Sequence, residues 1–312
     1  QWDAGQTLMM HAFDRGLKAA VTPNTPMPDE TSLVDALRNM INNLKSTKRA
    51  LLAHMLTLPD DSIIAAAHQP TNPSAIHAVR NALESAIAFG LKDEWTSLYK
   101  DNAPTSPDFS LEPDAVARRA LRNIALFYLT KAMPAEGFGL AKSQYEHATN
   151  MTDRLGAIKA VIETSDPLRD DFLKDFYGRF QQHPLVVDKW FMVQASAARP
   201  TIVHDIKALM EHPAFGIKNP NRVRALIGAF AMRNMAGFHH PSGDGYKLVA
   251  DVVIQLNTIN PQVGARLLMP MRQWKTFTPE LADKMKAELT RILHSGDLSP
   301  DIFEVVSKTL NG

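Results

Sequence analysis

Three side chains in the last third of this chain have the type and spacing to hold an anion: Arg224, Gln262 and Arg266. Two similar helix openings carry them. One reads Asn219-Pro220-Asn221-Arg222-Val223-Arg224, the other Asn260-Pro261-Gln262-Val263-Gly264-Ala265-Arg266. In both, Asn suits the N-cap and Pro suits the first helical position, where its missing N–H costs nothing. A helix start carries partial positive charge and free N–H donors, so an arginine there opposes the dipole. An anion between the two starts would account for both arginines. A peptide's terminal carboxylate is one such anion, because a guanidinium grips a carboxylate with two parallel hydrogen bonds. Gln262 and Arg266 are four apart and share a helix face. Gln262 can hydrogen-bond a peptide backbone while Arg266 holds the carboxylate. Val263, Leu267, Met271 and Trp274 form the neighbouring packed face.

The surrounding charge agrees with this. Lys218, Arg222, Arg224, Arg233, Lys247, Arg266, Arg272 and Lys275 face only Asp244 and Asp251 within residues 216–275. The plain reading is a solvated basic face; the functional one is an anion-accepting surface.

Other chemistry is missing. A helical zinc-peptidase motif needs two histidines four apart with a glutamate between them. No two of the eleven histidines have that spacing. His239-His240 is the nearest approach to a metal cluster, but it precedes Pro241-Ser242-Gly243-Asp244-Gly245 and reads as a solvated loop. Gly243-Asp244-Gly245 reads as a turn, and no nucleophile elbow is present. Asp170 and Asp171 follow Pro167 and read as a helix start. Lys189-Trp190-Phe191-Met192 reads as a buried helix.

Helices must position these groups. Apolar residues recur at helical spacing almost throughout, as in Leu33, Leu37, Met40, Ile41 and Leu44, or Val223, Leu226, Ile227 and Phe230. Strand alternation is nearly absent. A residue followed by proline opens candidate helices at Pro73, Pro113, Pro167, Pro220, Pro261, Pro279 and Pro300. Thr22 to Thr31 and Asp101 to Ser110 read as polar loops. The expected fold is all-α: an irregular, coiled α-solenoid of antiparallel helix pairs, armadillo- or HEAT-like, in a single domain over residues 1–312.

Composition narrows the function. Lys and Arg total 34 against 33 Asp and Glu, a net charge of +1, which argues against a general nucleic-acid binder. There is no cysteine, so no disulfide or thiolate metal site forms, and a reducing, cytoplasmic setting is expected. No apolar run nears the ~18 residues of a membrane span. The start at Gln1-Trp2-Asp3, with no signal pattern, is expected of a piece of a longer chain.

Asn219–Phe230 and Asn260–Arg266 resemble stretches of bacterial aminopeptidase N, the zinc alanyl aminopeptidases of the gluzincin class. So do Val187-Asp188-Lys189-Trp190-Phe191, Asn150-Met151-Thr152-Asp153 and Trp2-Asp3-Ala4. The resemblance runs from end to end and is confined to that enzyme's C-terminal α-helical domain. It implies that zinc, its ligands, the general base and the amine-binding Gly-x-Met-Glu-Asn loop belong to a separate catalytic domain, and that this chain alone binds no zinc and hydrolyses no peptide. It further implies that the domain covers the catalytic domain and encloses a chamber. Arg224, Gln262 and Arg266 would there meet the downstream part of a short peptide substrate. The partners implied are the catalytic and N-terminal domains of the same polypeptide. A non-catalytic solenoid scaffold is the alternative, and the local basic patch leaves nucleic-acid binding as a weaker third reading.

Overall fold

The computed structural model describes residues 2–45, 48–106 and 108–312, with the side chains of residues 2–4 excepted. The Trp2-Asp3-Ala4 match and Pro107 of the second polar loop therefore lie outside the described side chains. The described residues form helices, with one isolated bridge between Thr71 and Phe277 and no strand. None of these helices is long and apolar enough to cross a membrane.

The chain forms two compact units. The first comprises residues 1–64 and 75–174, the second residues 65–74 and 175–312. The first holds α1 (Trp2–Ala20), α2 (Thr31–Leu44), α3 (Arg49–Met55), most of α4 (Asp61–Ala67) and α5 (Pro73–Gly90), α6 (Lys92–Asp101), α7 (Pro113–Ala132), α8 (Pro134–His147), α9 (Met151–Val161) and the start of α10 (Pro167–Phe180). The second holds the rest of α10, then α11 (Pro184–Ala195), α12 (Ile202–Met210) and α13 (Pro220–Val223). A π-helical turn (Arg224–Gly228) follows, then α14 (Ala229–Arg233), α15 (Met235–Phe238), α16 (Asp244–Leu256), α17 (Pro261–Leu267), α18 (Pro279–Leu293) and α19 (Pro300–Asn311). Two short 3-10 turns, Met269–Met271 and Trp274–Thr276, follow α17.

All seven proline openings are helix starts, and Pro134 and Pro184 open two more. The residue before proline caps with its side chain at Asn219, Asn260 and Ser299. Asp166 likewise accepts from the Leu168 N–H at 2.9 Å. Glu112 and Thr278 make no such bond, so there proline alone fixes the start.

In the first unit α7 is the spine, packed against α3, α6, α8 and α9. Its Leu121, Ala125, Leu126 and Leu129 are buried, and Tyr128 stacks on Trp95 at 4.5 Å. Burying each such leucine contributes roughly 1.5–3 kcal/mol. α8 lies so close to α7 that a Cβ on Gly137 would sit 2.6 Å from the Thr130 Cα. A polar network ties in α9. Gln144 donates to Asn123 Oδ1 (2.7 Å) and to the Asp153 carbonyl (2.9 Å), and Asn150 caps α9 at the Asp153 N–H (2.9 Å).

The second unit is centred on Phe191, Leu226, Phe230, Phe238, Tyr246, Val253 and Met285, all fully buried. Buried Asn234 caps α15 at the Gly237 N–H (2.9 Å) and donates to the carbonyls of Ala195 (3.0 Å) and Ala197 (2.7 Å), tying the end of α11 to α15. The expected buried helix at Lys189–Met192 is α11, with Trp190 and Phe191 in the core.

Candidate functional site

The two expected openings exist, but their electrostatics differ from the sequence expectation. Asn219 accepts from the N–H groups of Asn221 and Arg222, and Asn260 from that of Val263. These caps consume donors that an anion would otherwise have used. The helix at Asn260 is also short. α17 ends at Leu267, so Arg266 lies in its last turn, where a cation complements the dipole. Opposition to a helix dipole therefore does not explain Arg266.

Arg222 has a structural partner of its own. It is 8% exposed and pairs with Asp188 of α11. It also donates to the carbonyls of Pro184 and Ala214, each at 2.9 Å, and its guanidinium lies 5.7 Å from the Phe191 ring centre. It is thus removed from the basic surface that the sequence suggested.

Arg224 begins the π-helical turn, which the sequence did not reveal. An i→i+5 turn fits one more residue per turn than an α-helix and re-aims the side chains around it. Two contacts bracket it. Arg222 is fixed on Asp188 just before it, and Gly228 at its end packs against α17, where a Cβ would lie 3.7 Å from Leu267 Cδ2. The turn that starts with Arg224 is therefore packed on the helix that carries Gln262 and Arg266.

Arg224, Gln262 and Arg266 are all exposed. Arg224 Nη1 donates to Asn221 Oδ1 at 3.3 Å. Among the described residues, Arg224 and Arg266 make no ion pair, and Gln262 makes no side-chain hydrogen bond. The four residues expected to pack are buried, Val263 and Leu267 on α17 and Met271 and Trp274 in the two 3-10 turns after it, and Trp274 Nε1 donates to the Thr309 carbonyl at 2.9 Å. Two exposed methionines lie on neighbouring elements. Met232 lies on α14, and Met269 lies in the 3-10 turn against which α14 packs. Neither was singled out from the sequence, because exposed methionine carries no motif.

His239-His240 is not a solvated loop as a pair. His240 is exposed and bonds Ser242 Oγ at 3.0 Å. His239 is buried, its Nδ1 is 2.9 Å from the Tyr246 hydroxyl, and its ring stacks on Phe277 at 4.4 Å. Burial lowers its pKa to about 3, so the imidazole is neutral, and burial raises that of the Tyr246 hydroxyl. Among the described residues no group of three His, Asp or Glu side chains is placed to hold a metal ion.

Known proteins match the chain along its whole length. It is 34% identical over 310 residues to aminopeptidase N of Escherichia coli (strain K12), which is 99% of this chain and 35% of that protein. It is 35% identical over 314 residues to aminopeptidase N of Caulobacter vibrioides and 34% over 311 residues to that of Haemophilus influenzae, again 99% of this chain and 35% of each relative. The chain thus spans about a third of the length of these relatives. Among solved structures, the crystal structure of Legionella pneumophila aminopeptidase A in complex with aspartic acid matches with a TM-score of 0.88 at 25% identity. That match covers 99% of this chain and 36% of the other. These similarities bear out the resemblance to aminopeptidase N. A family described as a domain of unknown function with ARM repeats (DUF3458_C) matches residues 1–311, in agreement with the all-α, armadillo-like class expected from the sequence. On that match the chain belongs to the DUF3458_C family of ARM-repeat domains.

Proposed function

We propose that residues 1–312 are the C-terminal helical domain of a zinc metallo-aminopeptidase that releases N-terminal amino acids from short peptides. Zinc and the bond-breaking groups belong to the catalytic domain of the same polypeptide. This domain covers that catalytic domain, encloses the active-site chamber and excludes bulk water and folded proteins. Arg266 and Arg224 hold the carboxylate or downstream backbone of the peptide, and Gln262 hydrogen-bonds the backbone beside it. The chain alone has no hydrolytic activity, and its cysteine-free sequence supports a cytoplasmic setting.

One observation supports this reading above the rest: two exposed arginines without ion pairs stand on two segments packed together, in a chain similar to part of aminopeptidase N. The test is Arg266→Ala in the intact enzyme. Its KM for short peptides rises by roughly tenfold or more, the equivalent of one lost charged hydrogen bond of ~1.5–3 kcal/mol. KM for a chromogenic amino-acid amide, which lacks a carboxylate, stays unchanged. Equal losses on both substrates refute the assignment.

A further inference from the structure

We propose that the basic surface of the second unit extends past Arg224 and Arg266 to Arg233 and Arg272, and that this second pair selects peptides with an aspartate or glutamate side chain near the terminal carboxylate. The inference rests on the reading of Arg224 and Arg266 as peptide-binding, and adds the class of peptide.

Arginines elsewhere in the chain are satisfied within it. Most donate to a carboxylate, as Arg80 does to Asp61, Arg199 to Asp205 and Arg222 to Asp188. Arg119, Arg122 and Arg154 donate to carbonyl or hydroxyl oxygens. Arg224, Arg233, Arg266 and Arg272 are the exceptions. All four are exposed, and among the described residues none makes an ion pair. Arg233 and Arg272 rest on sulfur instead: Arg233 Nη1 is 3.2 Å from Met192 Sδ, and Arg272 Nη1 is 3.6 Å from Met269 Sδ. A thioether is a weak acceptor, so each guanidinium keeps its capacity for an anion.

The four stand on segments packed on one another. The π-helical turn that starts with Arg224 packs on α17 and runs into α14, which ends at Arg233. The 3-10 turn Met269–Met271 packs on both α14 and α17, and Arg272 follows it directly. Like charges gathered on one surface repel one another, and the local chain supplies nothing to offset them. Residues 212–243 and 252–279 contain no Asp or Glu. Asp188 is taken by Arg222, and Asp251 by Arg291 at 2.7 Å. One terminal carboxylate occupies at most the pair Arg224 and Arg266, so Arg233 and Arg272 call for a second carboxylate on the same ligand.

The surface suits a peptide better than a nucleic acid. The large apolar side chains exposed on these segments are Met232 and Met269, and none is an aromatic ring on which a base could stack. Methionine adapts its shape to varied neighbouring side chains.

The test assays the intact enzyme on Ala-Ala-Glu-Ala and Ala-Ala-Gln-Ala, each with a free and with an amidated C-terminus. Wild type prefers the Glu peptide by about fivefold in kcat/KM at low salt. The preference shrinks as ionic strength rises. Arg233→Gln combined with Arg272→Gln abolishes the Glu preference and retains the preference for a free C-terminus, whereas Arg266→Ala does the reverse. A Glu preference that the paired change removes, in an enzyme indifferent to C-terminal amidation, upholds this inference and refutes the carboxylate role of Arg224 and Arg266. Equal rates on the Glu and Gln peptides in wild type, or a Glu preference that survives the paired change, overturn the inference. Inhibition by a short single-stranded oligonucleotide that the paired change relieves, without any Glu preference, assigns the surface to nucleic acid and overturns it too.

Discussion

Asp188 of α11 grips Arg222 of α13, and this buried ion pair fixes the chain immediately before Arg224. The pair is supported by the Pro184 and Ala214 carbonyls, so the guanidinium is hydrogen-bonded as well as neutralised. The geometry makes Arg222 the anchor and leaves Arg224 free to reach a ligand.

Removal of one partner from such a pair leaves the other charge buried and alone. Asp188→Ala should destabilise the second unit by ~3 kcal/mol. Replacing both residues, Asp188→Leu with Arg222→Met, should cost clearly less than the single change. Urea unfolding of the three proteins checks this. Equal stability of wild type and Asp188→Ala would remove the anchor from the account.

His239 makes stability depend on pH. Its folded pKa is about 3, against an unfolded value near 6.5, because burial disfavours the imidazolium. Below pH 6.5 the unfolded chain takes up a proton that the folded chain refuses. Stability is therefore lost as pH falls from about 6.5 towards 3, by on the order of 4 kcal/mol across the window. His239→Gln should flatten the slope between pH 6.5 and 4, measured as unfolding free energy against pH relative to wild type. Parallel curves for the two proteins would contradict the assignment.

Two glycines of α8 should respond in opposite ways to alanine. A Cβ on Gly137 meets the Thr130 backbone at 2.6 Å, whereas a Cβ on Gly139 meets nothing within 4 Å. Gly137→Ala should destabilise by at least ~2 kcal/mol through backbone displacement. Gly139→Ala should stabilise by ~0.5–1 kcal/mol, since exposed helical glycine costs about that much. Melting temperatures moving in the same direction would show that α7 and α8 are not in the described close contact.

The helices and most of their starts were legible in the sequence, because proline and asparagine act locally. Asn219, Asn260 and Ser299 cap whatever the rest of the chain does. The burial of Val263, Leu267, Met271 and Trp274 was legible from their apolar spacing, although the last two lie in 3-10 turns beyond α17. What was hidden depends on distant partners. Arg222 reads as another surface arginine until Asp188 is brought to it. His239 reads as loop until Phe277 and Tyr246 enclose it. The π-helical turn was invisible because Val223, Leu226, Ile227 and Phe230 fit an α-helical stripe equally well; its brackets, Asp188 and Leu267, lie on other helices. The dipole argument for Arg266 fails because α17 ends at Leu267, which puts Arg266 in its last turn.

The central claim is that Arg224 and Arg266 together hold the carboxylate end of a peptide. The most direct measurement is a kinetic double-mutant cycle in the intact enzyme. Arg224→Ala, Arg266→Ala and the double variant are assayed on one tripeptide and on the same tripeptide with an amidated C-terminus. The account predicts that wild-type kcat/KM favours the free acid, that each single change removes most of this preference, and that the double change adds little more. A preference for the free acid that survives in the double variant would contradict it.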